Sequence, residues 1–143
     1  MKTLPPGVLE GQTVTSDLEV GCDVCIVGSG PGGAVTAHTL ASTGLSVVVL
    51  EDGGYFTKER FRQREDEAYP LLYQDGGSRT TKDTAITILQ GRAVGGGSVV
   101  NWTTCFRTPD DVVDLWRSRH GASSLTIADL NPHWDWIEKR LSI

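Results

Sequence analysis

CDVCIVGSGPGGAVTAHTLASTGLSVVVLEDGG, residues 22–54, runs in order through an apolar strand, a glycine-rich turn, a helical pattern, a second apolar strand and an acid. A GxGxxG alone is a weak signal. One that follows a strand (Val24, Ile26, Val27) and opens a helical pattern (Ala34, Val35, Ala37, Leu40, Ala41) is a βαβ unit for the ADP half of a dinucleotide. Gly28 lets the chain turn off the strand, Gly30 lets the backbone approach a pyrophosphate, and Gly33 lets the helix pack on the sheet. Pro31 suits a first helical position, where its missing N–H would be unpaired anyway. The helix start turns unpaired N–H groups and a partial positive charge toward phosphate. Gly28, Ser29, Gly30, Pro31, Gly32 and Gly33 are thus the candidate phosphate-binding turn. Gly44 ends the helix. Ser46–Leu50 is apolar after its first residue, as expected of a strand covered on both faces. Glu51 closes it, 18 residues after Gly33. A carboxylate there accepts hydrogen bonds from ribose hydroxyls and repels a 2′-phosphate, which disfavours NADP.

The rest of the chain limits what this unit belongs to. Its 143 residues suit one domain, and the 17 glycines account for part of a modest 38% hydrophobic content. A net charge of −5 without a basic cluster argues against nucleic-acid partners. No apolar run approaches the roughly 20 residues of a membrane helix. The start, MKTLPPGVLEGQTV, has no apolar stretch of the secretory kind, so a cytoplasmic location is expected. Three cysteines are too few for a disulfide framework. Cys22 and Cys25 lie three apart on a strand, point to opposite faces and read as unbridged packing residues. The three histidines are scattered, and no metal site is expected.

Residues 1–20 read as a polar arm and 21–143 as a partial cofactor-binding domain. Residues 57–68, highly charged, predict a short solvated helix ended before Pro70. Gln74–Thr81 reads as a turn-rich loop and Ala85–Leu89 as a strand. Thr108 reads as the cap of a helix with Pro109 just inside, running past Trp116 to Gly121. Asn131 and Pro132 repeat that opening, and Trp134, Ile137 and Leu141 form an apolar packing stripe. No internal repeat is visible.

A second glycine cluster, GRAVGGGSVVNW, spans residues 91–102. Three consecutive glycines within an apolar segment are entropically costly. Either the segment is an ordinary flexible loop, or Gly95, Gly96 and Gly97 let the backbone approach a flat or charged ligand. In the second case Ser98 and Asn101 supply polar contacts.

GSGPGG with Glu51, followed by GRAVGGGSVVNW, resembles the N-terminal part of the glucose–methanol–choline (GMC) flavin oxidoreductases. The run from LYQDGG to GRAVGGGSVVNWTTCFRTP is most similar to the long-chain fatty alcohol oxidase branch, and cholesterol-oxidase-like members are also similar. The resemblance covers roughly residue 22 to the C-terminus. It implies an α/β, Rossmann-like FAD-binding βαβ fold with a parallel sheet core, and FAD rather than NAD. It places the ADP moiety on Gly28–Gly33 and Glu51. It places Arg92, Gly95–Ser98 and Asn101 beside the pyrophosphate, ribitol and isoalloxazine, with Trp102 and Thr103 near the flavin ring. Some members attach FAD through a histidine just before the asparagine. That position is Val100 here, so the resemblance implies non-covalent FAD.

The family reaction is oxidation of an alcohol, with a late histidine as base and hydride transfer to flavin N5. His38, His120 and His133 do not match that histidine's motif and read as structural or exposed. No catalytic residue is assigned, the substrate domain is expected to be absent, and the chain reads as truncated. Three functional readings stand side by side. The first is the FAD-binding N-terminal part of an alcohol oxidoreductase. The second is a non-catalytic FAD-binding fragment needing a partner chain. The third is an NAD-dependent dehydrogenase, for which GGGSVVN has no evident use.

Overall fold

The computed structural model describes residues 4–143, which fall into two compact units, the first ending at Asn101 and the second Trp102–Ile143. The first unit is α/β. Strand β1 (Val24–Val27) leads through the glycine turn into helix α1 (Pro31–Ser42), and strand β2 (Val47–Leu50) follows. β1 and β2 pair in parallel, Val24 opposite Val47 and Val27 opposite Leu50.

A serine–acid pair pins the register at each end of the sheet. At the entrance, Ser46 Oγ donates to Asp23 Oδ2 at 2.6 Å, and the Asp23 amide donates back to Ser46 Oγ at 2.9 Å. At the exit, Ser29 Oγ donates to Glu51 Oε2 at 2.6 Å, beside the last rung from Gly28 N to Leu50 O at 2.7 Å. A one-residue slip would break both pairs and turn every strand side chain to the other face.

Helix α1 lies against one face of this sheet through half-buried Gly33, Ala37 and Leu40, a spacing of four and three that keeps them on one stripe. Gly33 is there for space: a Cβ at this position would fall 2.0 Å from Gly28 O and 3.4 Å from Ile26 Cγ2. The helix closes at Thr43, with Gly44 at φ +93° just beyond, as expected. The other face of β1 carries Cys25 and Val27, the latter 85% exposed, and Leu50 at the end of β2 is 54% exposed. Two readings therefore change. β2 is not covered on both faces, because among the described residues the sheet has two strands and α1 covers one side. Cys25 is exposed rather than packed; both thiols of the CxxC are free.

The charged run 57–68 forms a 3-10 turn, Lys58–Arg60, and becomes α-helical only from Glu65. Helix α2 is Glu65–Leu72 and continues through Pro70 instead of ending before it. Three acids in its first turn favour the helix N-terminus, and buried Leu72 holds its end. Pro70 removes one rung, to the Asp66 carbonyl. Tyr69 and Tyr73 stack at 4.9 Å as the chain leaves the helix. The expected loop after Tyr73 is present, with Asp75 at φ +52°. Residues 85–89 do not form a strand. A single antiparallel bridge, Thr80 to Thr87, is all that pairs, and Ile86 is 62% exposed without a sheet to join.

The second unit holds helices α3 (Asp110–Arg119) and α4 (Ile127–Leu141). α3 starts one residue later than expected. Pro109, extended at ψ +150°, is itself the cap residue, and no side chain caps the end. Its stop at Gly121, φ +74°, matches the reading. α4 starts well before Asn131. Thr126 and Asp129 form a reciprocal capping box, which satisfies two amides at once, so Pro132 lies inside the helix. Val113 is fully buried on α3, while on α4 Trp134 and Ile137 are half-buried and Leu141 is 64% exposed. Arg107, just before α3, chelates Glu138 at 2.8 and 2.6 Å and reaches Asp135 at 2.5 Å and Asn131 at 3.2 Å. Its guanidinium also lies 5.8 Å from the Trp134 ring.

The close approach at Gly33 yields a first prediction. Gly33→Ala should destabilise the first unit by about 3 kcal/mol, the upper end of overpacking, because its Cβ meets backbone rather than a movable side chain. Urea unfolding measures this; a loss well under 1 kcal/mol would contradict the packing described.

Candidate cofactor site

The site lies where β1, α1 and β2 meet, at the carboxyl ends of the strands. Gly28, at φ +95°, turns the chain off β1. Pro31 is the first residue of α1, and the first amide with a backbone acceptor is Ala34, to Gly30 O at 2.8 Å. The preceding amides are left for another acceptor. No acid occupies the first turn, so the positive end of the helix is not neutralised from within. A Cβ built on Gly30 or Gly32 would meet nothing within 4 Å, so the space beside this turn is open.

Glu51 faces the turn. Its Oε2 accepts from the Ser29 hydroxyl at 2.6 Å and the Ser29 amide at 2.9 Å; its Oε1 accepts from the Gly53 amide at 2.8 Å. Partial burial pushes this carboxyl up, but the hydrogen bonds from Ser29 and Gly53 outweigh it and hold it below the ordinary range. With about four acceptor positions on a carboxylate, three are taken by the protein. One remains for a ligand hydroxyl without rearrangement.

The second glycine segment lies directly against the first. Gly54 bridges Ala93 in parallel, and Val94 N donates to Gly54 O at 3.0 Å. Ala93 is 1% exposed. Gly95 N donates to Ser29 Oγ at 3.0 Å. Gly96, at φ +58°, comes so close to Gly30 that a Cβ on it would lie 2.8 Å from the Gly30 Cα. The chain then winds through a 3-10 turn, Gly96–Val99, with Ser98 Oγ donating to Gly95 O at 2.6 Å. Within the triple glycine, Gly96 is thus a close backbone contact and not part of a loose loop.

Of the residues singled out from sequence, the structure brings together Gly28 to Gly33, Glu51 and Gly95 to Ser98. Arg92 is adjacent through Asp52, which it grips by two bonds of 2.6 and 3.0 Å. Asn101 ends the first unit, whereas Trp102, 89% exposed, and Thr103 open the second. His38, His120 and His133 are exposed. Among the described residues no group of three or more His, Cys, Asp or Glu could hold a metal, and no helix is long and apolar enough to cross a membrane. Sequence reasoning missed Asp52 and Gly53. The signal was the DGG directly after Glu51: a Cβ on Gly53 would lie 2.3 Å from Ala93 N, so this glycine admits the second segment.

Comparison with known families decides what the site belongs to. A family profile described as GMC oxidoreductase matches residues 69–143, more than half the chain, and one described as FAD binding domain matches residues 21–62. The chain belongs to the GMC oxidoreductase family. Its cofactor is FAD, and the family assignment agrees with the resemblance read from the two glycine motifs. Long-chain-alcohol oxidase FAO3 of Arabidopsis thaliana is 46% identical over 69% of this chain and 13% of its own length. Long-chain-alcohol oxidase FAO1 of the same plant is 35% identical over 94% of the chain and 18% of its own length. A cholesterol oxidase of Mycobacterium tuberculosis is 37% identical over 85% and 22%. The chain thus spans less than a quarter of the length of each of these relatives.

FAD fits the residues present at its diphosphate end: open space beside Gly30 and Gly32, free amides at a helix start, and no acid in that first turn.

Glu51→Gln tests the network. A glutamine has one oxygen, so one way round its NH2 faces the Ser29 amide and the other way the Gly53 amide. We expect a stability loss of about 1–2 kcal/mol, kept small by solvent on the open side. The carboxyl's folded pKa is lowered, so the native Glu51 contributes fully above the ordinary carboxylate range and loses its contribution as pH falls through the folded value. The difference between the two proteins should therefore be constant above about pH 5 and shrink below it. A pH-independent difference in urea unfolding would count against this network.

Proposed function

We propose that this chain is the FAD-binding N-terminal part of an oxidoreductase acting on an alcohol. The observation that carries the proposal is the meeting of the two glycine segments at the start of α1, with Gly96 against Gly30 and Glu51 beside both. The names of the long-chain-alcohol oxidases and the cholesterol oxidase support the CH–OH substrate class. The parallel β1–α1–β2 unit supports a Rossmann-like core. Residues 1–20 are then an arm, and 21–143 a partial domain of GMC type.

The chemistry that FAD supplies when bound is acceptance of a hydride at flavin N5. The protein's part is to hold and orient. In this reading the free amides around Gly30, Gly32 and Gly33 bind the diphosphate, with help from the helix dipole. Glu51 offers its remaining acceptor position to a ribose hydroxyl and excludes a 2′-phosphate by charge. Gly95–Ser98 and Asn101 line the path toward the ribitol and flavin. Arg92, held by Asp52, adds positive charge near the pyrophosphate. Val100 offers no nucleophilic atom, so the cofactor is bound without a covalent link.

Gly30→Val separates ligand space from folding. Gly30 has φ −61° and ψ 179°, which any residue adopts, and the volume its side chain would enter holds no protein atom within 4 Å of the Cβ. The variant should fold as the parent does and lose FAD binding by a factor of about 100 or more. Unchanged affinity in a flavin titration would move the diphosphate elsewhere. Acid precipitation of the FAD-loaded protein should leave all yellow colour in the supernatant, whereas flavin retained on the pellet would contradict non-covalent binding.

A further inference from the structure

The Ser29 hydroxyl stands between the two motifs. It donates to Glu51 Oε2 at 2.6 Å and accepts from the Gly95 amide at 3.0 Å, 66 residues along the chain. A hydroxyl has one hydrogen and an ionised carboxylate has none, so the hydrogen goes to Glu51 and the lone pairs face Gly95. The charge on Glu51 thereby dictates the polarity of the contact that holds the second glycine segment. Gly95 immediately precedes the residue that touches Gly30, so a shift of Gly95 moves the wall of the open space.

We propose that Ser29 is a positioning residue for the dinucleotide cradle: its hydroxyl relays the charge of Glu51 to the Gly95 amide and locks the second glycine segment against Gly30. The inference rests on the FAD reading above and assigns Ser29 a role through its neighbours rather than through the cofactor. It makes the acid at the end of β2 and the Gly95–Ser98 turn one coupled site. Protonation of Glu51 would remove the constraint on the hydroxyl hydrogen and loosen Gly95. The other charged groups near Glu51 are Asp52, which opposes its ionisation, and Arg92, which is paired with Asp52; the first turn of α1 contributes no acid.

The test compares the parent with Ser29→Ala and Ser29→Thr by FAD titration between about pH 4 and pH 8. Ser29→Ala should bind FAD about tenfold more weakly at neutral pH, the loss of one charge-assisted hydrogen bond. The acid limb of its binding should also move to higher pH, because Glu51 has lost a donor that stabilises its charge. Ser29→Thr, which keeps the hydroxyl, should restore both affinity and limb. A variant weakened equally at every pH, or one that matches the parent, overturns the role. A parent chain that binds no FAD refutes the cofactor reading and not the relay, which a second measurement reads without FAD. In the unmodified, flavin-free chain the Gly95 amide resonance should shift with pH as Glu51 titrates. That measurement also decides the matter if Ser29→Ala does not fold: a Gly95 resonance unresponsive to pH in this range overturns the proposal.

Discussion

One carboxylate holds the first unit together. Glu51 takes three hydrogen bonds, from Ser29 twice and from Gly53, and so ties the exit of β2 to the glycine turn and to its own following loop. Each donor belongs to a segment that must be in place for the site to exist. The Ser29 bonds fix the turn that starts α1. The Gly53 bond fixes the chain where the 91–97 segment crosses it, at a separation that leaves no room for a side chain. A charged acceptor suits this task better than a neutral amide, because it accepts from every direction and never presents a competing hydrogen.

Glycine placement follows from the same constraint. Gly33, Gly53 and Gly96 stand where backbone meets backbone, at Gly28, Ala93 and Gly30 in turn. Gly30 and Gly32 stand where nothing of the protein approaches. Within one short motif, then, glycine serves two opposite ends: contact too close for a Cβ, and a clear space kept for something else. The first turn of α1 carries no acid of its own, and a diphosphate is the kind of group that such a helix start favours.

The sheet and the second unit show what remains uncovered among the described residues. Parallel strands are normally covered on both faces, yet Val27 and Leu50 stand largely in solvent here. In the second unit, Arg107 gathers Asp135, Glu138 and Asn131 on one side of α4 and rests near Trp134. These contacts are exposed, so they organise the segment before α3 more than they add stability. The two long-chain-alcohol oxidases and the cholesterol oxidase are each more than four times the length of the span they share with this chain.

The βαβ unit was legible because its signals are local. The apolar strand, the glycine turn, Pro31 at the helix start and Gly44 past its end each act within a few residues, and β1, α1 and β2 stand where those signals put them. The family was legible too, since two glycine motifs in order leave little ambiguity. Where local signals competed, sequence reading went astray. Pro70 and Pro132 looked like helix boundaries, but each costs a single rung, and a buried Leu72 or a Thr126–Asp129 capping box outweighs it. Ala85–Leu89 had strand-like residues but no sheet to join. By itself the sequence determined the dinucleotide unit and the cofactor class. Tertiary structure alone decided that Gly96 rests on Gly30 and that Ser29 joins Glu51 to Gly95, because a contact between residues 66 apart depends on how the chain returns and leaves no periodicity to read.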